Sequence, residues 1–345
     1  MAFQDFVADP RSYFADKAEA VCVTYLEQYN SLEAGIAPAN MWWDSLTRRV
    51  PNASLITRLY IPVAGFKPSP WTGSVVFSDT SEVFFDVTRG MQTMGVMADV
   101  AKLAEMSFGA FNMSPGAVDK AISKMPQVGL AAALNAGFTT RDWTGTNFFR
   151  ITATKYNKPG DASLGKWLNA YQNSALTPAN IKRAIKNIQS RIGFDGLTLD
   201  LEAEFLFVGT NMKEDAKDLV EVMALVPDTD GVSSGGGNTS KVFGRLKVIA
   251  VPGMRDDMWI VGAATPDEHM KPLIYVTGGD GSDYEINENA ETPGAGVPHI
   301  VVIPHLQDSY MYKNHLKMGI AWIINEGYAL GTPHAFCANY TGSAS

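Results

Sequence analysis

The chain has 345 residues, 46% of them hydrophobic and 19% charged, which is apolar material for one large or two ordinary domains and too much for a disordered tail. A formal net charge of −8 argues against a dedicated DNA or RNA binder, because neutralising phosphates takes a basic stripe. Cys22 and Cys337 belong to no CxxC or Cys/His cluster, so neither a disulfide framework nor a zinc site is signalled and a reducing compartment is expected.

The first residues, MAFQDFVADPRSYF, carry acids and aromatics where a secretory signal has a basic end and an apolar run, and no apolar stretch of about 18 residues follows. Ala18, Val21, Cys22, Tyr25 and Leu26 recur at helical spacing and predict a short amphipathic helix over 15–29. Trp42 and Trp43 are adjacent, so their rings are expected to pack against more than one surface.

Residues 55–93 mix β-formers with Pro62, Pro68, Pro70, Gly65 and Gly73, the pattern of two strand-like arms around a proline-rich tip. That tip carries Phe66, Trp71, Val75, Val76 and Phe77. A lone two-stranded ribbon cannot hide such a load within itself. Each side chain gains about 1.5–3 kcal/mol on burial, so the ribbon is expected to seek either its own core or a neighbouring subunit.

Ser114 and Pro115 open a helix in the favoured way, and Val118, Ile122, Met125, Leu130, Ala133 and Leu134 give it an apolar face up to Gly137. Pro126 is expected to bend it. Thr177-Pro178 starts a second helix with a stripe of Ile181, Ala184, Ile185, Ile188 and Ile192. Its Lys182, Arg183, Lys186 and Arg191 read as a solvated flank, with phosphate binding as the alternative. A strand is expected over 197–208, then a helix from Glu214 with Ala216, Leu219, Val220 and Met223 inward. Strands follow over 243–251, 259–263 and 273–277, with polar loops at 226–241 and 278–296 and apolar strand material beyond 297.

Few of these features suggest chemistry. The glycine run 235–237 with Lys241 leads into a strand, and Val242 follows the lysine, so it lacks the GxxxxGK[ST]-to-helix form that cradles phosphate and reads as a tether. The 280–291 stretch lacks calcium-loop spacing. No HExxH includes His269, His299, His305, His315 or His334, and there is no GxSxG elbow. Asp200, Glu202 and Glu204 alternate as a wet strand face, with an acid–base pair as the alternative. The expectation is no catalytic, cofactor or metal residue.

Several phrases in order resemble the tailed-phage major capsid proteins, most nearly the Mu-like major head subunit family. They are the LTPANI start at 176–181, Asp195-Gly196-Leu197, the strand 205–209 with Gly209 where proline is usual, and the Gly/Asn loop 235–238. The GRLKVIAVP phrase at 244–252, Trp259 to Ala263 with Pro266, and KMGIAWIINEGYAL at 317–330 complete the set, Gly331 standing where an aromatic is common. The resemblance covers about the last half of the chain.

It implies an α+β, HK97-type capsid fold: N-terminal arm 1–54, extended loop 55–93, peripheral domain 94–174 with a spine helix, axial domain 175–298, and a return to the peripheral domain over 299–345. It also implies a non-enzymatic subunit that assembles as hexamers and pentamers into an icosahedral virion shell around phage double-stranded DNA, with Phe66, Trp71, Val75, Val76 and Phe77 at intersubunit contacts. A separate scaffolding protein is expected because the chain starts directly with the arm, together with a portal and a decoration protein. Assembly is expected in the host cytoplasm, with weak, sequence-independent contact to DNA, no membrane and no cofactor. No Asn in the setting needed for an isopeptide weld to Lys67 is identifiable, so closure is expected to be noncovalent. The alternatives are an encapsulin-like nanocompartment shell and an α+β enzyme using Asp200, Glu202 or Glu204.

Overall fold

The computed structural model describes residues 42–51, 56–62, 82–99, 115–152, 154–155, 166–193, 198–225, 246–265, 267–278, 284–286, 300–305 and 317–341. In chain order the elements are β1 (Thr47–Pro51), β2 (Ile56–Pro62), β3 (Glu82–Thr88), β4 (Gly90–Asp99), α1 (Pro115–Ala136), β5 (Thr154–Lys155), β6 (Lys166–Trp167) and β7 (Ala170–Tyr171). Then come α2 (Pro178–Gln189), β8 (Ala203–Val208), α3 (Lys213–Leu225), β9 (Lys247–Ala250), β10 (Met258–Ala263), β11 (Leu273–Thr277), β12 (Tyr284–Ile286), β13 (Ile300–His305), β14 (Lys317–Leu330) and β15 (Phe336–Tyr340). The predicted helix at 15–29 lies outside the described residues.

Two sheets organise these strands. The larger runs β1-β11-β14-β13-β12, with β4 on the other side of β14, and the smaller runs β7-β15-β10-β8-β9. Every residue of β10 and of β11 is buried, as expected of strands with neighbours on both edges and covering on both faces. Part of the arm stretch is strand β1 of the larger sheet, β11 pairs with β14, and β15 pairs with β10.

One core joins both sheets. Phe207, Ile260, Phe336 and Ala338 of the smaller sheet pack with Leu273, Tyr275 and Leu330 of the larger one, with Leu130 and Leu134 of α1, and with Trp42, Trp43 and Leu46. The tryptophan pair bridges them as the sequence suggested. Trp42 meets Phe207 edge-on at 5.7 Å, and Trp43 meets Tyr275 at 5.7 Å. A second cluster lies on the other face of the smaller sheet, where Ile181, Ala184, Ile185 and Ile188 of α2 meet Leu206, Val208, Trp259 and Val261, with Ala216 and Val220 of α3.

The α2 start is as read: the Thr177 hydroxyl accepts from the Asn180 backbone N–H at 3.4 Å and Pro178 opens the helix. The stripe is one residue shorter than expected. α2 stops at Gln189, Ile192 lies in an isolated bridge with Thr198, and Ile192 is exposed. The strand expected from 197 begins only at Ala203, because Asp200 has a positive φ of 48° that breaks the extended run.

α1 is one 22-residue helix that includes Pro126. It lies on β14 by way of Gly129, where an added Cβ would sit 2.2 Å from the Tyr328 ring. That ring cannot swing aside cheaply, since it stacks on Tyr275 at 5.5 Å and donates its hydroxyl proton to Glu326. Replacing a helical glycine by alanine ordinarily gains about 1 kcal/mol, whereas overpacking costs about 1–3 kcal/mol. Gly129→Ala is therefore expected to lower the urea midpoint, and to become neutral or stabilising in a Tyr328→Ala background, a coupling that a double-mutant cycle measures.

Candidate functional site

Phe66, Trp71, Val75, Val76 and Phe77, the expected contact residues, lie outside the described residues, as do Lys67, the 235–237 glycines and Lys241. The root of their ribbon is described. β2 and β3 pair antiparallel from Ile56↔Thr88 to Pro62↔Glu82. Thr57, Leu59 and Val87 are buried, and Leu59 and Val87 pack on Ile274 and Val276 of β11. Arg58 and Asp86 point the other way and form a two-bond ion pair at 2.8 and 2.9 Å, which holds the Asp86 carboxyl below the usual carboxylate range. Period-two alternation thus anchors the ribbon on its own subunit's sheet, while the segment 63–81 continues from this root.

The candidate catalytic carboxylates are not brought together on a strand. Asp200 and Glu202 precede β8, only Glu204 lies on it, and all three are exposed. His269 sits exposed in a 3-10 turn, whereas His334 is fully buried in the turn Pro333–Ala335. Among the described residues no group of three His, Cys, Asp or Glu side chains could hold a metal ion. No helix among them is long and apolar enough to cross a membrane.

Three buried polar groups escaped the sequence reading. Asp142 and Arg150 form an ion pair with both side chains almost wholly buried, and the Thr144 backbone N–H at 2.9 Å and its hydroxyl also donate to Asp142. Asn169 braces this pair by accepting from the Arg150 backbone N–H at 2.6 Å and donating to the Phe148 carbonyl at 2.9 Å. Burial pushes the Asp142 carboxyl up, against the pull of Arg150 and Thr144. In the second group, Glu326 accepts from the hydroxyls of Tyr275 (2.7 Å) and Tyr328 beneath α1.

The third group is Arg191 with His334 and Cys337. Arg191 does not join the solvated flank expected of it: it is 2% exposed and donates to the Asn187 side chain. Its position just past the end of α2 turns it toward β15 instead of outward. Desolvation, then the Arg191 and Arg150 charges, holds His334 well below its ordinary value, and burial pushes the Cys337 thiol up to about 12.

The other three cations of α2 are exposed and line an open groove of about 550 Å³ with Tyr171, Asn187 and Ser190. The Arg183 guanidinium lies 4.0 Å over the Tyr171 ring and donates to Ser174 Oγ at 2.8 Å. The Asn187 amide donates to the Tyr171 hydroxyl at 3.0 Å and to the Leu168 carbonyl at 3.1 Å.

His334 and Asp142 should give the subunit opposed pH dependences. A histidine whose folded pKa is depressed costs stability as pH falls below about 6.5, because only the unfolded chain then takes up the proton. The loss is at most about 1.4 kcal/mol per pH unit. Asp142, raised in the fold, instead contributes stability that is lost as pH rises through its raised value. Urea denaturation of the chain should show up to about 2 kcal/mol less stability at pH 5 than at pH 7 from His334, and His334→Gln should remove that part of the slope.

No family model matches the sequence, and no curated protein matches it. Solved structures do. The asymmetric unit of the cyanophage Pam1 capsid aligns with a TM-score of 0.51 and 10% identity, over 89% of this chain and 93% of that one. The capsid of an empty GTA particle aligns at 0.48 and 11% over 90% and 92%. The bacteriophage JBD30 capsid aligns at 0.44 and 16%, over 62% of this chain and 90% of that one. At such identities a likeness speaks for the fold alone, and the Pam1 superposition carries it: the chain has the α+β, HK97-type fold of phage capsid proteins.

Proposed function

We propose that the chain is a major capsid protein that assembles through copies of itself into the icosahedral shell enclosing a phage double-stranded DNA genome. The observation that carries this reading is the fold, shared with the Pam1 capsid chain along nearly the whole length of both. The role is structural and not enzymatic, and its place is the virion. The Mu-like major head subunits are the branch we favour, on the ordered phrases from 176 to 330.

In this reading the smaller sheet with α2 and α3 forms the axial domain, and the larger sheet with α1 as spine helix forms the peripheral domain. β2 and β3 are the root of the extended loop. Phe66, Trp71, Val75, Val76 and Phe77 then lie on the next subunit, supplying burial that an isolated ribbon lacks. Weak contacts suffice, since a symmetric shell presents each of them many times. Hexamers and pentamers, a separate scaffolding protein, a portal and a decoration protein complete the assembly, which takes place in the host cytoplasm.

Electron microscopy of the purified full-length chain, co-expressed with its scaffolding protein, should show closed shells. Deleting residues 66–77 should abolish shells while leaving far-UV circular dichroism and a cooperative melt intact; a deletion that unfolds the chain would mean those residues belong to its own core. Denaturing gels of intact particles should give a monomer band alone, as expected of noncovalent closure, with no ladder through Lys67.

A further inference from the structure

We propose that the outer edge of β4 is a docking edge for β4 of a second copy of this chain, the two strands pairing antiparallel about a two-fold axis. β4 is ten residues long and pairs with β14 along its whole length, from Glu326↔Gly90 to Lys317↔Asp99. Among the described residues no strand pairs with its other edge. Alternate residues of a strand turn their backbone N–H and C=O to opposite edges, so every second residue of β4 presents both groups outward.

A long open edge is a hazard that single proteins blunt with charge, proline, bulges or brevity. The other open edges of the described strands are blunted in these ways. β1 has five residues, includes Arg48 and Arg49 and ends in Pro51, β9 has four and begins at Lys247, and β12 has three. β5, β6 and β7 have two each. The ribbon strands β2 and β3 have seven each and carry Arg58, Pro62, Glu82 and Asp86. β4 reads GMQTMGVMAD, with no proline and no charge before Asp99, and its register with β14 runs without a shift. Asp99 lies opposite Lys317 of its own chain.

The same comparison selects the partner. Among the described open edges, only a second β4 matches β4 in length and freedom from charge. Pairing of a strand with its own copy is isologous: it uses one edge and closes instead of propagating. A two-fold axis normal to the sheet sets a residue opposite itself, and the overlap is longest when that residue is Met94 or Gly95. No like charges then face each other across the uncharged run 90–98. One such ladder is a weak contact, since a lone strand pair is marginal in water. Its place in a closed shell, where repetition strengthens it, rests on the reading above, but the pairing itself does not.

The test uses the full-length chain with Cys22→Ser, which leaves only the buried Cys337, and adds Met94→Cys or Gly95→Cys. Residues directly opposite in an antiparallel pair have Cα atoms ~4.5–5.5 Å apart, within disulfide reach. Mild oxidation should give linked dimers on non-reducing gels from at least one variant, and none from Lys247→Cys on the open edge of β9. Hydrogen exchange of the unsubstituted chain, read on peptides spanning 90–99, is the second measurement and is untouched by how the variants fold. About half of those amides should slow ~10-fold or more as the chain is taken from ~1 to ~100 μM. The proposal is overturned if folded variants give no more dimer than Lys247→Cys, even where protection grows with concentration, because a different segment of the neighbour then docks there. It is equally overturned if exchange does not change with concentration, because the edge is then open or covered by its own chain. Electron microscopy of the same preparations separates the two readings. Shells without self-paired β4 would sink the edge and leave the capsid reading, whereas self-paired β4 in a chain that never forms shells would do the reverse.

Discussion

The structure depends on a double crossing between its two sheets. The chain leaves the smaller sheet after β10 and enters the larger one at β11, then returns from β14 to β15, and the two passages run side by side. The Gly331 backbone N–H donates to the Pro272 carbonyl at 2.8 Å, that of Thr332 to the Lys271 carbonyl at 3.3 Å, and the Thr332 hydroxyl to Met270. The approach is close enough that a Cβ on Gly331 would lie 2.5 Å from the Lys271 carbonyl oxygen. Any side chain at that position would force the passages apart. Because they are laced, neither sheet can shift without disturbing the core that Trp42, Phe207, Tyr275 and Phe336 fill between them.

The buried polar groups sit around this joint. Asp142–Arg150, with Asn169, ties the turn after α1 to the strand edge at β7, whose Ala170 backbone N–H donates to the Arg150 carbonyl at 3.1 Å. Glu326 holds two tyrosines, one on β11 and one on β14, under α1. Buried ions are poor sources of net stability, yet removing one partner alone leaves a charge stranded in the interior. Such groups penalise a slipped register far more than they reward the right one. That is a useful bias where strands distant in sequence must find one another, as Lys317–Leu330 and Gly90–Asp99 must.

Local chemistry was legible in the sequence, and pairing was not. Thr177-Pro178 and the isoleucine spacing gave α2, the LIYVT run gave β11 to the residue, and two of the phrases carrying the capsid resemblance are strands with neighbours on both edges: 259–263 lies in β10 and 317–330 is all of β14. Which sheet takes a strand depends on contacts far along the chain, and no one-dimensional pattern pairs β15 with β10. Arg191 read as a surface charge because one-dimensional patterns do not reveal an arginine folded back past a helix end, nor do they signal an ion pair closed eight residues away such as Asp142–Arg150. Asp200 broke the expected strand through its own left-handed backbone, a choice its short polar side chain tolerates.

On the shell reading, the described body presents little apolar surface that would hold subunits together. Its large exposed apolar side chains are Ile56, Val128 and Ile192, on three separate elements, and scattered single residues of this kind are ordinary for a lone protein. Among the described residues the ribbon root is the element most plainly braced to its own sheet. Leu59 and Val87 bolt it to β11, while its outer face carries the solvated Arg58–Asp86 pair and ends at exposed Ile56. On that reading a root already fixed lowers the entropy lost on association. A core satisfied within one copy lets the described body fold before it meets the next, which limits the exposed apolar surface through which folding intermediates aggregate.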